Sequence, residues 1–276
     1  MLIDAHSHLD KYGDEEIGDV LETIAQDRIL TFSVAIDVDS FLRTELIAAQ
    51  ESLVIPGFGI HPSEATRYVD GLDDVEALVA RSPFIGEIGL DHEFVTDSSQ
   101  YGAQRMVFDR FLAWAAAESK LVNLHCTGAE QDTADMLGES GVERVIVHWY
   151  AGPLDVLAQL AAIGCMFTVG VELLHSEHIR DVARAIPSRQ LLTETDNPGG
   201  QRWLTGESGY PPSWAPSSTN SHLFEPSLQR SSSPPCTPIW PVSFETIVTS
   251  NRGWLTSEEP PHAKRCPWQS TPTQGR

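Results

Sequence analysis

A chain of 276 residues can bury one large α/β core or two smaller ones. Its formal charge of −21, with 34 acidic against 12 basic side chains in residues 1–200 and 5 against 6 thereafter, repels nucleic acid and anionic membrane unless metal ions or high salt intervene. No run of about 18 apolar residues marks a membrane span, and the scattered Cys126, Cys165, Cys236 and Cys266 offer neither a disulfide framework nor a thiolate zinc site.

The first predicted strand, LIDAH at 2–6, departs at once from core composition. In an extended chain Asp4, His6 and His8 share one face. Short apolar and β-branched runs then predict strands at 31–37, 54–60, 84–90, 121–126, 144–149, 166–171 and 191–196. Helix-length segments fall between them at 15–27, 41–51, 71–81, 101–119, 129–140, 153–163 and 176–186. Eight strands alternating with helices over about 200 residues fit a parallel (β/α)8 barrel of TIM type. An open doubly wound sheet competes, but no GxGxxG follows the first strand.

After Trp203 the chain changes character. Residues 201–276 hold 12 prolines against 6 in the first 200, in runs such as RSSSPPCTP. Such density forbids long helices and central strands. The expected division is therefore a barrel over 1–203 and an irregular Pro/Ser-rich segment over 204–276. A genuine extension and a late reading-frame shift would both give this composition, and no convincing final helix covers the last strands.

Barrel chemistry sits at the C-terminal ends of the strands. His6 and His8 end the first strand, His61 follows the third, and Glu87 and Asp91 lie in and after the fourth. His125 ends the fifth strand, His148 the sixth, and Glu194 and Asp196 the eighth. Any one of these histidines alone reads as a hydrogen-bonded structural residue. Together they resist that reading, because each buried polar group without a partner costs about 1–3 kcal/mol. A ring of imidazoles and carboxylates at one mouth is what a divalent metal centre requires.

DAHSHLD, GIHP, GEIGLD, NLH, VHWYAG and TETDNP occur in an order that resembles the TatD-type metal-dependent hydrolases, a branch of the amidohydrolase-like barrel enzymes. The resemblance spans residues 2 to about 203. It implies hydrolysis, classically of nucleic-acid phosphodiesters, on one or two divalent ions such as Zn, Mg or Mn. Carried over by position, it implies His6 and His8 as ligands of the first metal beside Asp196. Glu87 is implied as the bridge, and His125 and His148 as ligands of the second metal. Asp196 is then the implied general base, and Glu87 joins it in the catalytic pair. His61 resembles the position that contacts the scissile phosphate, while a turn-capping role before Pro62 fits it equally. Many barrel amidohydrolases bridge their metals with a carbamylated lysine after the fourth strand. Here Lys11, Lys120 and Lys264 all lie elsewhere. Asp91 reads either as a partner of a ligand histidine or as a direct contributor.

The expected protein is thus a metal-dependent phosphodiesterase or deoxyribonuclease. An amide or lactone hydrolase on the same centre, and a defective metal-binding copy, are the alternatives. Its substrate is a nucleic acid or a small molecule. Asp4 stands where a signal peptide needs a basic segment and a long apolar stretch, which suggests a cytoplasmic setting.

Overall fold

The computed structural model describes residues 2–211. In chain order these form β1 (Leu2–Ser7), α1 (Ile17–Asp27), β2 (Ile29–Val34), α2 (Val38–Ala48), β3 (Val54–Phe58), α3 (Ala65–Tyr68), α4 (Glu76–Arg81) and β4 (Phe84–Asp91). Then follow α5 (Tyr101–Glu118), β5 (Val122–Thr127), α6 (Glu130–Ser140), β6 (Val145–Val147), α7 (Leu154–Ala162), β7 (Met166–Val169), α8 (Glu177–Ala185), β8 (Leu191–Thr193) and α9 (Gly199–Thr205). The strands make one sheet in the order β1 to β8, with every neighbouring pair parallel. This is the expected (β/α)8 barrel. No helix among the described residues is long and apolar enough to cross a membrane.

Strand alternation divides the side chains between two environments. On β5, Val122, Leu124 and Cys126 join Phe108 and Phe111 of α5 in the main core, while Asn123 and His125 face the other way. A second cluster, with Phe32, Ile55, Phe84, Leu121 and Ile146, gathers residues near the starts of the strands into an apolar floor. The polar row stands above it.

The barrel is closed by side chains as much as by backbone. Between β1 and the segment that continues β8, the Asp196 N–H donates to His6 O at 2.9 Å and the His8 N–H to Asn197 O at 2.8 Å. Side chains add to these, among them the Thr193 hydroxyl, which donates to Ile3 O at 2.7 Å, and the Asp4 carboxylate. Its Oδ1 accepts from the Thr195 N–H at 2.9 Å and its Oδ2 from the Thr195 hydroxyl at 2.7 Å. Burial pushes the Asp4 carboxyl up to about 7 against the pull of both bonds. The register between β1 and β2 shifts between Asp4 and Ser7, and the Asp4 carboxylate is engaged by Thr195.

Several boundaries move for local reasons. β2 stops at Val34, short of 37, because Asp37 begins α2 in a reciprocal capping box with Ser40. The stretch expected as one helix over 71–81 is a 3-10 turn at Leu72–Val75 leading into α4. Beyond the expected strands lies α9, and after it the Tyr12 hydroxyl donates to Gly209 O at 2.8 Å. The remainder of the expected irregular segment, 212–276, lies outside the described residues.

Candidate metal centre

Four strands deliver a buried cluster to the barrel mouth. His6 and His8 come from β1 and its end, Glu87 from β4, His125 from β5, and His148 follows β6. Glu87 stands at the centre. Its Oε2 lies 3.6 Å from His6 Nε2 and 3.4 Å from His8 Nε2. Its Oε1 lies 2.9 Å from His125 Nδ1 and 2.8 Å from His148 Nε2. One carboxylate oxygen therefore faces each pair of imidazoles. Asp196, in a left-handed conformation at φ 48° just beyond β8, brings Oδ1 to 3.6 Å from His6 Nε2 and 3.4 Å from His8 Nε2.

Glycines in the GEIGLD and GIHP segments make this convergence possible. A Cβ on Gly89, whose φ is +144°, would lie 1.9 Å from His125 O, so only glycine lets β4 and β5 meet there. A Cβ on Gly59 would fall 2.3 Å from Glu87 O. The Glu87 N–H is fixed by Ala35 O at 2.8 Å, which sets the carboxylate's direction.

The far nitrogens of His6, His125 and His148 face Asn123, Asp91 and Glu194, while His8 Nδ1 has no hydrogen-bond partner among the described residues. Asn123 donates from Nδ2 to Ala5 O at 2.7 Å, which leaves its Oδ1 to accept from His6 Nδ1 at 2.8 Å. His6 thereby turns an unprotonated Nε2 toward Glu87. Asp91 uses Oδ1 to accept from the backbone N–H groups of Glu93 and Phe94, and its Oδ2 lies 3.3 Å from His125 Nε2. Asp91 is thus the partner of a histidine. Glu194, fully buried, stands 3.7 Å from His148 Nδ1. Asn123 was visible in NLH two residues before His125, the spacing that shares a strand face; an amide simply carries no metal signal of its own.

His61 takes the turn-capping role expected of it. Its Nδ1 accepts from the Ser63 N–H at 3.2 Å, capping the turn that begins at Pro62. Its Nε2 then carries the proton and points toward Glu87 Oε1, 3.8 Å away. Burial holds this imidazole down to about 3, so it stays neutral.

The electrostatics match a cation-binding cluster. Burial pushes the Glu87 carboxyl up, yet His148, His6, His61 and His125 hold it well below the usual carboxylate range. Burial, and then His148, keep His6 well below the usual imidazole range. Burial also pulls His148 down, but Glu87 and Glu194 outweigh it and raise the group. His6 Nε2 and His8 Nε2 face each other at 3.3 Å, and His125 Nδ1 and His148 Nε2 at 3.1 Å. Each separation suits either an N–H···N hydrogen bond, with one ring nitrogen protonated, or two nitrogens that share one ion. Imidazole nitrogens and carboxylate oxygens, converging from two sides, fit a divalent ion.

Comparison with known proteins agrees with this geometry. The family model described as TatD related DNase matches residues 3–216. Deoxyribonuclease TATDN3 of Homo sapiens is 27% identical over 213 residues, 71% of this chain and 78% of that protein. The uncharacterized metal-dependent hydrolase YabD of Bacillus subtilis is 26% identical over 211 residues, 72% of this chain and 80% of its own length. Among solved structures, YJJV, a TatD homologue from Escherichia coli K12, shares the fold with a TM-score of 0.67 at 24% identity, covering 76% of this chain and 85% of that one. With more than half of its length matched, this chain belongs to the TatD-related DNase family.

Proposed function

We propose that the cluster holds one or two divalent ions and hydrolyses phosphodiester bonds, with short or single-stranded DNA ends as the substrate class. The observation that carries this reading is the split of Glu87, one oxygen toward His6 and His8 and the other toward His125 and His148. His6 and His8 with Asp196 would hold one ion, His125 and His148 the other, and Glu87 both. Mg²⁺, Mn²⁺ and Zn²⁺ all suit such donors. Bound there, divalent ions polarise a phosphoryl oxygen and acidify water near neutral pH.

The chain's own residues supply the remaining steps. Asp196, with its side chain 23% exposed, is the carboxylate of the cluster most open to solvent and takes the proton of the attacking water. The Nε2–H of His61 donates to a non-bridging phosphate oxygen. Asn123, Asp91 and Glu194 keep the ligand imidazoles aimed while charge builds on phosphorus. The name of the human relative and the family to which the chain belongs support DNA as substrate. The acidic surface supports short ends over long duplexes.

Metal analysis and a substrate panel test this directly. The purified chain is expected to carry at least one divalent ion and to cleave phosphodiesters when Mg²⁺, Mn²⁺ or Zn²⁺ is added. Glu87→Ala should lose metal and activity together, whereas Asp196→Asn should keep much of the metal and lose about 100-fold or more in rate. A metal-free chain inactive with all three ions would overturn the reading, and faster turnover of amides or lactones than of phosphodiesters would move it to carbon centres.

A further inference from the structure

Two indoles rim the mouth on the side of β6 to β8, and the mechanism above uses neither. Trp149 follows His148 directly and is held from every side. Its N–H donates to Thr168 Oγ1 and Glu194 Oε1, each at 2.9 Å, and its Nε1–H donates to Glu172 Oε2 at 2.5 Å. Its backbone sits at φ 41°, a conformation that costs a bulky residue about 1–3 kcal/mol and persists only when neighbours fix it. A Cβ on Gly200 would lie 2.7 Å from Trp149 Cζ3 and 3.1 Å from Asp196 Cβ, so the indole edge lies beside the residue that carries the proposed base. Trp203, on α9, meets Trp149 edge to face, with centroids 6.1 Å apart. Unlike Trp149, it is 64% exposed.

A net charge of −21 opposes the recruitment of a polyanion, so uncharged contacts gain weight in holding a nucleotide. Base stacking on an aromatic ring is such a contact, and it tolerates any sequence because every base has a π-face. On this basis, and resting on the phosphodiesterase reading above, we infer that Trp203, braced by Trp149, is a stacking subsite for the unpaired base of the nucleotide whose phosphate enters the metal centre. A centroid separation of 6.1 Å in a perpendicular pair leaves no room for a base between the rings. The base therefore lies on Trp203 from outside. Bases inside a duplex already have stacking partners on both faces, so the subsite selects frayed or single-stranded termini.

The test uses the full 276-residue chain loaded with Mg²⁺ and two probes that differ only in the base, deoxyadenosine 5′-monophosphate and 2-deoxyribose 5-phosphate. Binding is read by quenching of tryptophan fluorescence and by calorimetry. The nucleotide is expected to bind at least about tenfold more tightly than the sugar phosphate. That ratio should hold between about 50 and 200 mM salt, because both probes carry the same charge. Trp203→Ala should abolish the ratio and Trp203→Phe should keep part of it, while Kd for the sugar phosphate stays unchanged in both. An undiminished ratio in Trp203→Ala, or no ratio in the parent, would overturn the subsite. A change of oligomeric state in Trp203→Ala that accounts for the lost ratio would assign the indole to a second copy and also overturn it. Failure of the phosphodiesterase reading appears separately, as a nucleotide preference without hydrolysis of any dinucleotide.

Discussion

Asn123 lies fully buried beside the proposed ligands, and its amide accepts from His6 Nδ1 while donating to Ala5 O. Truncation leaves His6 Nδ1 without an acceptor and frees the ring to rotate. Asn123→Ala should therefore lose about 10–100-fold in metal affinity while the ligand set stays complete, as measured by competition with a calibrated chelator. At this scale the chemistry was readable to different depths. His6, His8, Glu87, His125, His148 and Asp196 were all legible, because imidazoles and carboxylates at the ends of apolar strands have no comfortable packing role. Glu194 stood out as a carboxylate ending the eighth strand but not as a neighbour of His148, and Asn123 carried no metal signal at all, since a residue that holds another side chain leaves no spacing of its own in the sequence. His61 was legible as ambiguous; one ring nitrogen caps the turn and the other is turned toward Glu87.

Among the elements, the seam between β1 and β8 depends most on one side chain. Asp4 accepts both the N–H and the hydroxyl of Thr195, in place of a further backbone ladder. Asp4→Ala strands both donors in a buried place and should destabilise the barrel by about 2–3 kcal/mol, seen as a lower urea midpoint at unchanged slope. Asp4→Asn, which can still accept from one donor of Thr195 and pair with the other, should lose less. The alternation of short apolar runs with amphipathic stretches announced all eight strands and their partner helices, because hydrophobic period survives without tertiary context. The closure did not announce itself. Alternation puts Asp4 on the face of His6 and His8, with no sign that its carboxylate is bonded to Thr195. α9 was equally hidden, a seven-residue helix opened by two glycines that propensity alone disfavours.

For the whole molecule, charge sets how substrate arrives. Most nucleic-acid enzymes lose affinity as salt rises, because displaced counterions drive their binding. An acidic chain meeting a polyanion starts from repulsion, and salt screens that repulsion over a Debye length of about 8–10 Å. The value of kcat/KM on single-stranded oligonucleotides should therefore hold or rise between about 20 and 150 mM monovalent salt at fixed Mg²⁺. A steep fall would point to a cationic path outside the described residues. The 34 acidic side chains of residues 1–200 made this regime legible from composition alone.

The backbone bonds that zip the barrel shut involve the proposed ligand residues themselves. The His8 amide reaches Asn197 O, and the Asp196 amide reaches His6 O. These two protons thus report on the seam and on the site at once. Solvent deuterium can replace them only when β1 and the end of β8 part, and a cation shared by the two sides would hold them together. Exchange of both amides should slow in parallel on adding metal and quicken in parallel with chelator, while amides in the helices keep their rates. The barrel's opening and its catalytic competence would then be one local equilibrium, observable residue by residue without any substrate.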